Sequence, residues 1–379
     1  MKFPEKSRNA EELLAEMKNF QANDLKWREG KNGSFVYFAG DDVLNVVSTA
    51  YTEYFLTNGL SPLSFPSIKK MEAEVISMTA NLLNGDENVV GNMTSGGTES
   101  IFMSLKTARD RARDLYPQIK EPNIVVPSSI HPAFDKACHY LNIKLIKVPV
   151  GKDLRADSEL MKNSVNENTI LIAASAPNYP HGVIDPIEDL ASFAKEKNIL
   201  FHVDACLGGF LLPFIKRLGY NVPNFDFSIE GVTSISADVH KYGYGPRGTS
   251  VILYKNSDIR KYQYFICTDW SGGLYGSPTF AGSRAGAAIA GAWAVINYLG
   301  VEGYTKKADI IMKTTRKFID GINSIDTLEI LGKPDASIFS FHSKELDIYM
   351  IGQEMSKKDW SLDNLQLPTS TSFNGYSSS

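Results

Sequence analysis

Six short runs rich in apolar and β-branched residues set the narrowest limit on how this chain can fold. They lie at 123–127 (NIVVP), 144–150 (KLIKVPV), 169–175 (TILIAAS), 200–205 (LFHVDA), 234–240 (SISADVH) and 250–255 (SVILYK). Helical patterns around 131–141, 157–163 and 186–198 separate the first four. Strands apolar on both faces, alternating with helices, imply a mostly parallel sheet in an α/β domain. Between the last two runs lies only a glycine-rich loop, where an antiparallel strand fits.

Upstream, Ile68, Met71, Val75, Met78 and Leu82 recur at steps of three and four before Asn84 and Gly85, which predicts a helix. A shorter amphipathic helix is expected at 11–20. Downstream, the pattern predicts a helix over 279–299 and another over 302–322. Strands near 328–331 and 337–342 and a helix near 346–357 come next, and the polar tail 369–379 (TSTSFNGYSSS) reads as frayed. The 379 residues are then divided into an N-terminal segment (1–60), a large domain (61–300) and a small α+β domain (301–379).

Hydrophobic residues at 43% and charged residues at 22% supply a sizeable core and argue against disorder. A net charge of -4 with no basic run makes nucleic acid a poor partner. Cys138, Cys206 and Cys267 form no CxxC pair, so neither a zinc site nor a disulfide framework is expected, and a reducing, cytoplasmic setting fits. No apolar run approaches the roughly 20 residues of a membrane helix, and the charges in the first ten residues do not suit a signal peptide.

Three segments can carry chemistry. Ser95, Gly96, Gly97 and Thr98 precede a helical pattern, where backbone N–H groups and hydroxyls can cradle an anion. The same segment also reads as a capped helix after a glycine turn, and it matches neither the P-loop nor the GxGxxG fingerprint. Asp204 sits at the end of a buried strand, the end at which open α/β sheets bind ligands. Alone it reads as the cap of the next turn. Lys241 leaves a strand into a glycine-rich loop between His240 and Arg247. It is either a solvated lysine or one whose amine is made nucleophilic by its surroundings.

Together the three point to pyridoxal 5'-phosphate, which needs a phosphate cradle, an attaching lysine, a carboxylate for its ring nitrogen and a flat group to stack on. His131, after the first of the six strands, can supply the flat group, although a lone histidine there is more often a helix cap.

In these residues the chain resembles the fold-type I pyridoxal-phosphate enzymes of the group II decarboxylase superfamily, and within it the sphingosine-1-phosphate lyases. The wider resemblance rests on 96–100 (GGTES), 202–205 (HVDA) and the His240-Lys241 pair. The narrower one rests on 65–74 (FPSIKKMEAE), 94–100, 131–137 (HPAFDKA), 175–182 (SAPNYPHG), 202–210, 236–241 with 248–250, and 275–286 (YGSPTFAGSRAG). It implies a PLP-dependent transferase-like fold, with a mostly parallel seven-stranded sheet covered by helices and a small C-terminal α+β domain. Lys241 is then expected to hold the cofactor, Asp204 to pair with its ring nitrogen, and His131 to stack on one face with Cys206 at the other. Ser95, Gly96, Gly97, Thr98 and His240 would surround the cofactor phosphate. Gly276 and Ser277 would reach it from the neighbouring subunit of a homodimer. Tyr179, Arg247 and Tyr37 would meet the substrate's own phosphate.

The resemblance implies retro-aldol cleavage of a phosphorylated sphingoid base to a long-chain aldehyde and phosphoethanolamine, with no metal. Lys241, Tyr179 or a phosphate oxygen can serve as base for the C3 hydroxyl. An amino-acid decarboxylase of the same superfamily and a silent dimer partner are the alternatives. Two departures stand out. Segment 59–64 (GLSPLS) offers serines where the family often has a histidine, and the family's small domain continues beyond the stretch matched by 363–368, so an abbreviated domain is expected. The membrane helix of eukaryotic members is also absent from this sequence.

Overall fold

The computed structural model describes residues 2–61 and 63–365, and the tail 369–379 lies outside them. It divides into two compact units, one from Met1–Phe38 with Glu345–Leu365, the other built on Ala39–Lys344. In the smaller unit, helix Ala10–Phe20 starts where the Asn9 side chain accepts from the Glu11 and Glu12 amides. Asn32 pairs with Ser361 in an isolated parallel bridge.

The larger unit carries a seven-stranded sheet of β1 (Val90–Thr94), β2 (Asn123–Pro127), β3 (Lys144–Val148), β4 (Thr169–Ser175), β5 (Leu200–Asp204), β6 (Ser234–Ala237) and β7 (Ser250–Tyr254). Their order across the sheet is β1-β7-β6-β5-β4-β2-β3. All six expected runs are strands. The seventh, β1, ends at Thr94, immediately before the Ser95–Thr98 segment that precedes a helical pattern. Gly91 and Asn92 interrupt its apolar pattern for a structural reason. A Cβ at Gly91 would stand 2.2 Å from the Ile252 carbonyl oxygen, so the backbones approach too closely for any other residue.

Alternate residues along each strand enter different cores, as the two-residue period of a strand requires. Val125, Ile172, Phe201, Val203 and Ile235 face one core with Leu190 and Ile215. Ile124, Val126, Leu171, Ala173 and Leu200 face the other with Leu105 and Phe134. Helices therefore cover both faces, which explains why these strands read as unbroken apolar runs.

The expected helices at 279–299 and 302–322 form one element, Gly286–Asn323, broken at Gly300 by a left-handed φ of 53°. It begins seven residues later than expected. Ser277 and Thr279 turn their hydroxyls onto the Thr279 and Ala281 carbonyls, a local bonding that competes with helix. Just before the helix, Arg284 makes a two-pronged ion pair with Glu72, at 2.5 and 2.9 Å, and also donates to the Gly59 carbonyl. Glu72 in turn accepts the Met93 amide of β1. This largely buried pair ties the helix Pro66–Leu82, β1 and residue 59 together.

Removing one partner of such a pair strands a buried charge, at a cost of about 3–5 kcal/mol. Arg284→Met is expected to lose that much stability in urea unfolding, and the double variant E72M/R284M to regain part of the loss. A single variant as stable as the parent would show the pair to be dispensable.

Candidate active site

β7 pairs antiparallel with both β1 and β6, and the remaining neighbours are parallel. β1 and β6 therefore run the same way, and six strands end at one edge of the sheet. The loops after β1, β2, β4, β5 and β6 bring Ser95–Thr98, His131, Tyr179, Asp204 with Cys206, and His240 with Lys241 to that edge. β7 starts there, which returns Arg247 to it. In open α/β sheets this carboxyl edge is where ligands bind.

At its centre, Asp238 is buried with its carboxylate 3.0 Å from Lys241 Nζ and 3.6 Å from His240 Nε2. Burial holds His240 below the ordinary imidazole range, and Asp238 opposes that shift. Gly97 packs directly on this group. A Cβ there would meet Cys206 Sγ at 2.7 Å and Asp238 Oδ2 at 2.8 Å. Gly96, with φ of 150°, opens the helix Gly97–Leu115 beside His240. The Ser95 amide and hydroxyl both donate to Glu99, at 2.7 and 2.5 Å, and Glu99 also accepts the Phe280 amide at 2.8 Å. Beneath the glycines runs a chain of hydroxyls, with Thr94 2.6 Å from Ser100, Ser100 2.8 Å from Ser250, and Ser250 donating to the Ala237 carbonyl.

Asp204 is buried at the end of β5, and its Oδ1 accepts from two neutral donors, the Cys206 amide at 3.1 Å and Ser236 Oγ at 3.4 Å. Ser236 also lies 3.3 Å from His202 Nε2, whose Nδ1 is 2.9 Å from Ser234. Burial depresses the His202 pKa to about 4, so the imidazole is neutral at pH 7. The Cys206 thiol is pushed well up, first by burial and then by Asp204 and Asp238, and stays protonated. His131 is exposed, and its Nδ1 accepts the Ala133 amide at 3.1 Å. The capping role is thus present, and it fixes the ring's orientation at the edge.

Tyr179 sits in a turn whose Gly182 has φ of 68°, and a Cβ there would stand 1.8 Å from the Ile338 carbonyl oxygen. Asp335 pins the same turn, accepting the Ile184 amide and Arg155, each at 2.7 Å. Arg247 is exposed and directs Nη1 toward the His240 carbonyl at 3.4 Å. Gly276 and Ser277 belong to β9 (Tyr275–Ser277), paired with β8 (Phe265–Cys267). Tyr37 belongs to the smaller unit. Sequence reasoning assigned no role to Asp238, His202 or Glu99, although each lies in a quoted motif. The position of Asp238 three residues before Lys241 was the available signal. Among the described residues, no group of three or more His, Cys, Asp or Glu is gathered as a metal site requires.

The set fits a phosphorylated aromatic aldehyde. Asp204 has neutral donors and can pair with a protonated ring nitrogen, Gly96 and Gly97 leave a helix start open to an anion, and Asp238 Oδ1 is buried without a hydrogen-bond partner among the described residues. Comparison with known proteins agrees. The pyridoxal-dependent decarboxylase conserved domain matches residues 1–344. The chain is 48% identical over 368 residues to the sphingosine-1-phosphate lyase of Arabidopsis thaliana, covering 95% of this chain and 67% of that protein. It is 44% identical over 372 residues to sphingosine-1-phosphate lyase 1 of Rattus norvegicus, covering 98% and 65%. It thus spans about two thirds of the length of these relatives. Among solved structures, the sphingosine-1-phosphate lyase of Burkholderia pseudomallei superposes with a TM-score of 0.93 at 38% identity, over 97% of this chain and 86% of that one. The glutamate decarboxylase of Lactobacillus brevis reaches 0.85 at 20% identity, over 98% and 87%, a likeness of fold.

The neutral His202 has a pH signature. Its folded pKa lies near 4 and its ordinary value is 6.5, so between these pH values the unfolded chain binds the extra proton. Its contribution to stability is complete above pH 6.5 and is lost as pH falls toward 4, by about 3 kcal/mol. Asp185, raised to about 6 by burial, titrates in the opposite sense over much the same window. The readout is therefore the difference between the parent and His202→Gln in denaturant unfolding. The parent's advantage is expected to shrink on acidification, and a difference independent of pH would refute the assignment.

Proposed function

The chain belongs to the pyridoxal-dependent decarboxylase family and, within it, to the sphingosine-1-phosphate lyases, and on that premise we propose that it cleaves phosphorylated sphingoid bases. The products are a long-chain aldehyde and phosphoethanolamine. The carrying observation is identity of 38–48% to lyases of that name over nine tenths or more of the chain.

Pyridoxal phosphate, when bound, supplies an electron sink for the bond broken at the amine-bearing carbon. Lys241 would attach it. Asp204 would keep its ring nitrogen protonated, with Ser236 and the Cys206 amide holding that carboxylate in line. His131 and Cys206 would cover the two ring faces, and Ser95, Gly96, Gly97, Thr98 and His240 would hold the phosphate. The planar fork of Arg247, with the hydroxyl of Tyr179, would grip the substrate's phosphate. Either Lys241 or Tyr179 can take the proton of the substrate's C3 hydroxyl.

We read the chain further as a cytoplasmic homodimer, with Gly276 and Ser277 serving the neighbouring subunit's site. Phe265, Ile266, Trp270, Leu274 and Phe280 are all exposed around the β8–β9 hairpin, an apolar surface of the kind that subunits cover. The three cysteines are free, as a reducing compartment requires. Among the described residues no helix is long and apolar enough to cross a membrane.

The visible spectrum of the holoprotein is expected to change when a phosphorylated sphingoid base is added, with long-chain aldehyde appearing in step. A spectrum blind to the lipid but responsive to an amino acid, with release of carbon dioxide, would replace the lyase by a decarboxylase. Trp270→Glu is expected to halve the mass seen by light scattering and to weaken cofactor retention. An unaltered dimer would move the interface elsewhere.

A further inference from the structure

Asp238 has a carboxylate that the proposed chemistry leaves without a task. Its side chain is 2% exposed, and its Oδ1 has no hydrogen-bond partner among the described residues. A carboxylate so buried is retained only where cations or donors compensate it. Its neighbours are the cofactor-handling groups themselves. Lys241 Nζ stands at 3.0 Å and His240 Nε2 at 3.6 Å from Oδ2, and a Cβ added to Gly97, at the start of helix Gly97–Leu115, would meet both oxygens at 2.8 and 3.0 Å. The backbone allows little drift, because the Asp238 amide donates to the Cys206 carbonyl and the Lys241 amide to the Asp238 carbonyl.

We propose that Asp238 is the positioning residue of Lys241: its carboxylate holds the lysine amine against the glycine cradle, shares that hold with His240, and so sets when the amine can take up an aldehyde. This rests on the reading of Lys241 as the residue that attaches the cofactor. An amine forms its C–N bond to an aldehyde carbon only after losing its proton, the carbonyl oxygen leaving as water, and a carboxylate at 3.0 Å favours keeping that proton. The groups facing Asp238 are few. Lys241 and His240 come from its own loop, with Arg247 acting on His240, and from the β5 loop the Cys206 thiol lies beside the same carboxylate under the influence of Asp204. Glu99, on the helix that brings Gly97, is engaged by Ser95 and Phe280 instead.

The test uses the full chain, stripped of cofactor with hydroxylamine and then given pyridoxal phosphate. The rate at which borohydride-stable cofactor appears on the protein is followed across pH. Asp238→Asn keeps the shape and removes the charge, so the midpoint of this profile is expected to fall by about one unit or more. Asp238→Glu keeps the charge and is expected to stay with the unsubstituted protein. An unchanged midpoint in D238N of native circular dichroism, or a Glu variant that falls as far as the Asn variant, overturns the proposal. If D238N does not fold, His240→Gln carries the test in the other direction. Lys241 then has the carboxylate to itself and the midpoint rises, whereas a fall or no change overturns the proposal. Lys241→Ala keeps the two readings apart. Cofactor still attached in K241A would defeat the assignment of Lys241, whereas loss of attachment there with an unmoved D238N profile would defeat only the role of Asp238.

Discussion

A buried carboxylate is costly unless donors or cations replace the water it gives up, and the carboxyl edge of this sheet buries Asp204 and Asp238 on either side of Cys206. Asp204 is satisfied by neutral groups, with Ser236 and the Cys206 amide on its Oδ1 and the neutral His202 one step behind. Asp238 is compensated by charge, with Lys241 3.0 Å from one oxygen and the imidazole of His240 close to the same atom. The two solutions suit different tasks. An acceptor with neutral neighbours keeps its capacity for a cation that arrives with a ligand, whereas one paired to a lysine regulates that lysine. Gly97 matters to both arrangements, because any side chain there would press on Cys206 and Asp238 together.

These groups meet because of one reversal. β7 runs against both of its neighbours, so the chain leaves β6 at the site, passes Lys241 and re-enters the sheet at Ser250, still at the site. Had β7 been parallel, Arg247 and the glycines around it would have been carried to the opposite edge. β1 fills the position beyond β7, and the glycine cradle follows from its end. The fold shared with the lyases and, at lower identity, with decarboxylases is thus the means by which five loops of distant sequence come together.

Much of this was legible before any coordinates. The six apolar runs became strands because burial on both faces leaves no room for polar alternation, and Lys241, Asp204, His131 and the two glycines were visible as residues at strand ends. β1 escaped notice because Gly91 and Asn92 answer to β7 and to Arg260, contacts that no local pattern encodes. Helix Gly286–Asn323 was placed too early because Thr279 and Ser277 spend their hydroxyls on nearby carbonyls, which an apolar count does not register. His202 stood in a quoted motif, but its neutrality depends on burial and on two serines about thirty residues away in the chain.

The hydroxyls beneath the cradle carry a consequence for how such chains diverge. Ser250 gives its hydrogen to the Ala237 carbonyl, which leaves Ser100 to donate to Ser250, while Thr94 has both Ser100 and the Gly96 carbonyl within reach. Exchanging the middle serine for an aliphatic residue would take a hydrogen-bond partner from both Thr94 and Ser250, two losses for one change. Positions 94, 100 and 250 lie on three separate elements, yet they are bound to drift as a set. Across related genes they should change together or not at all.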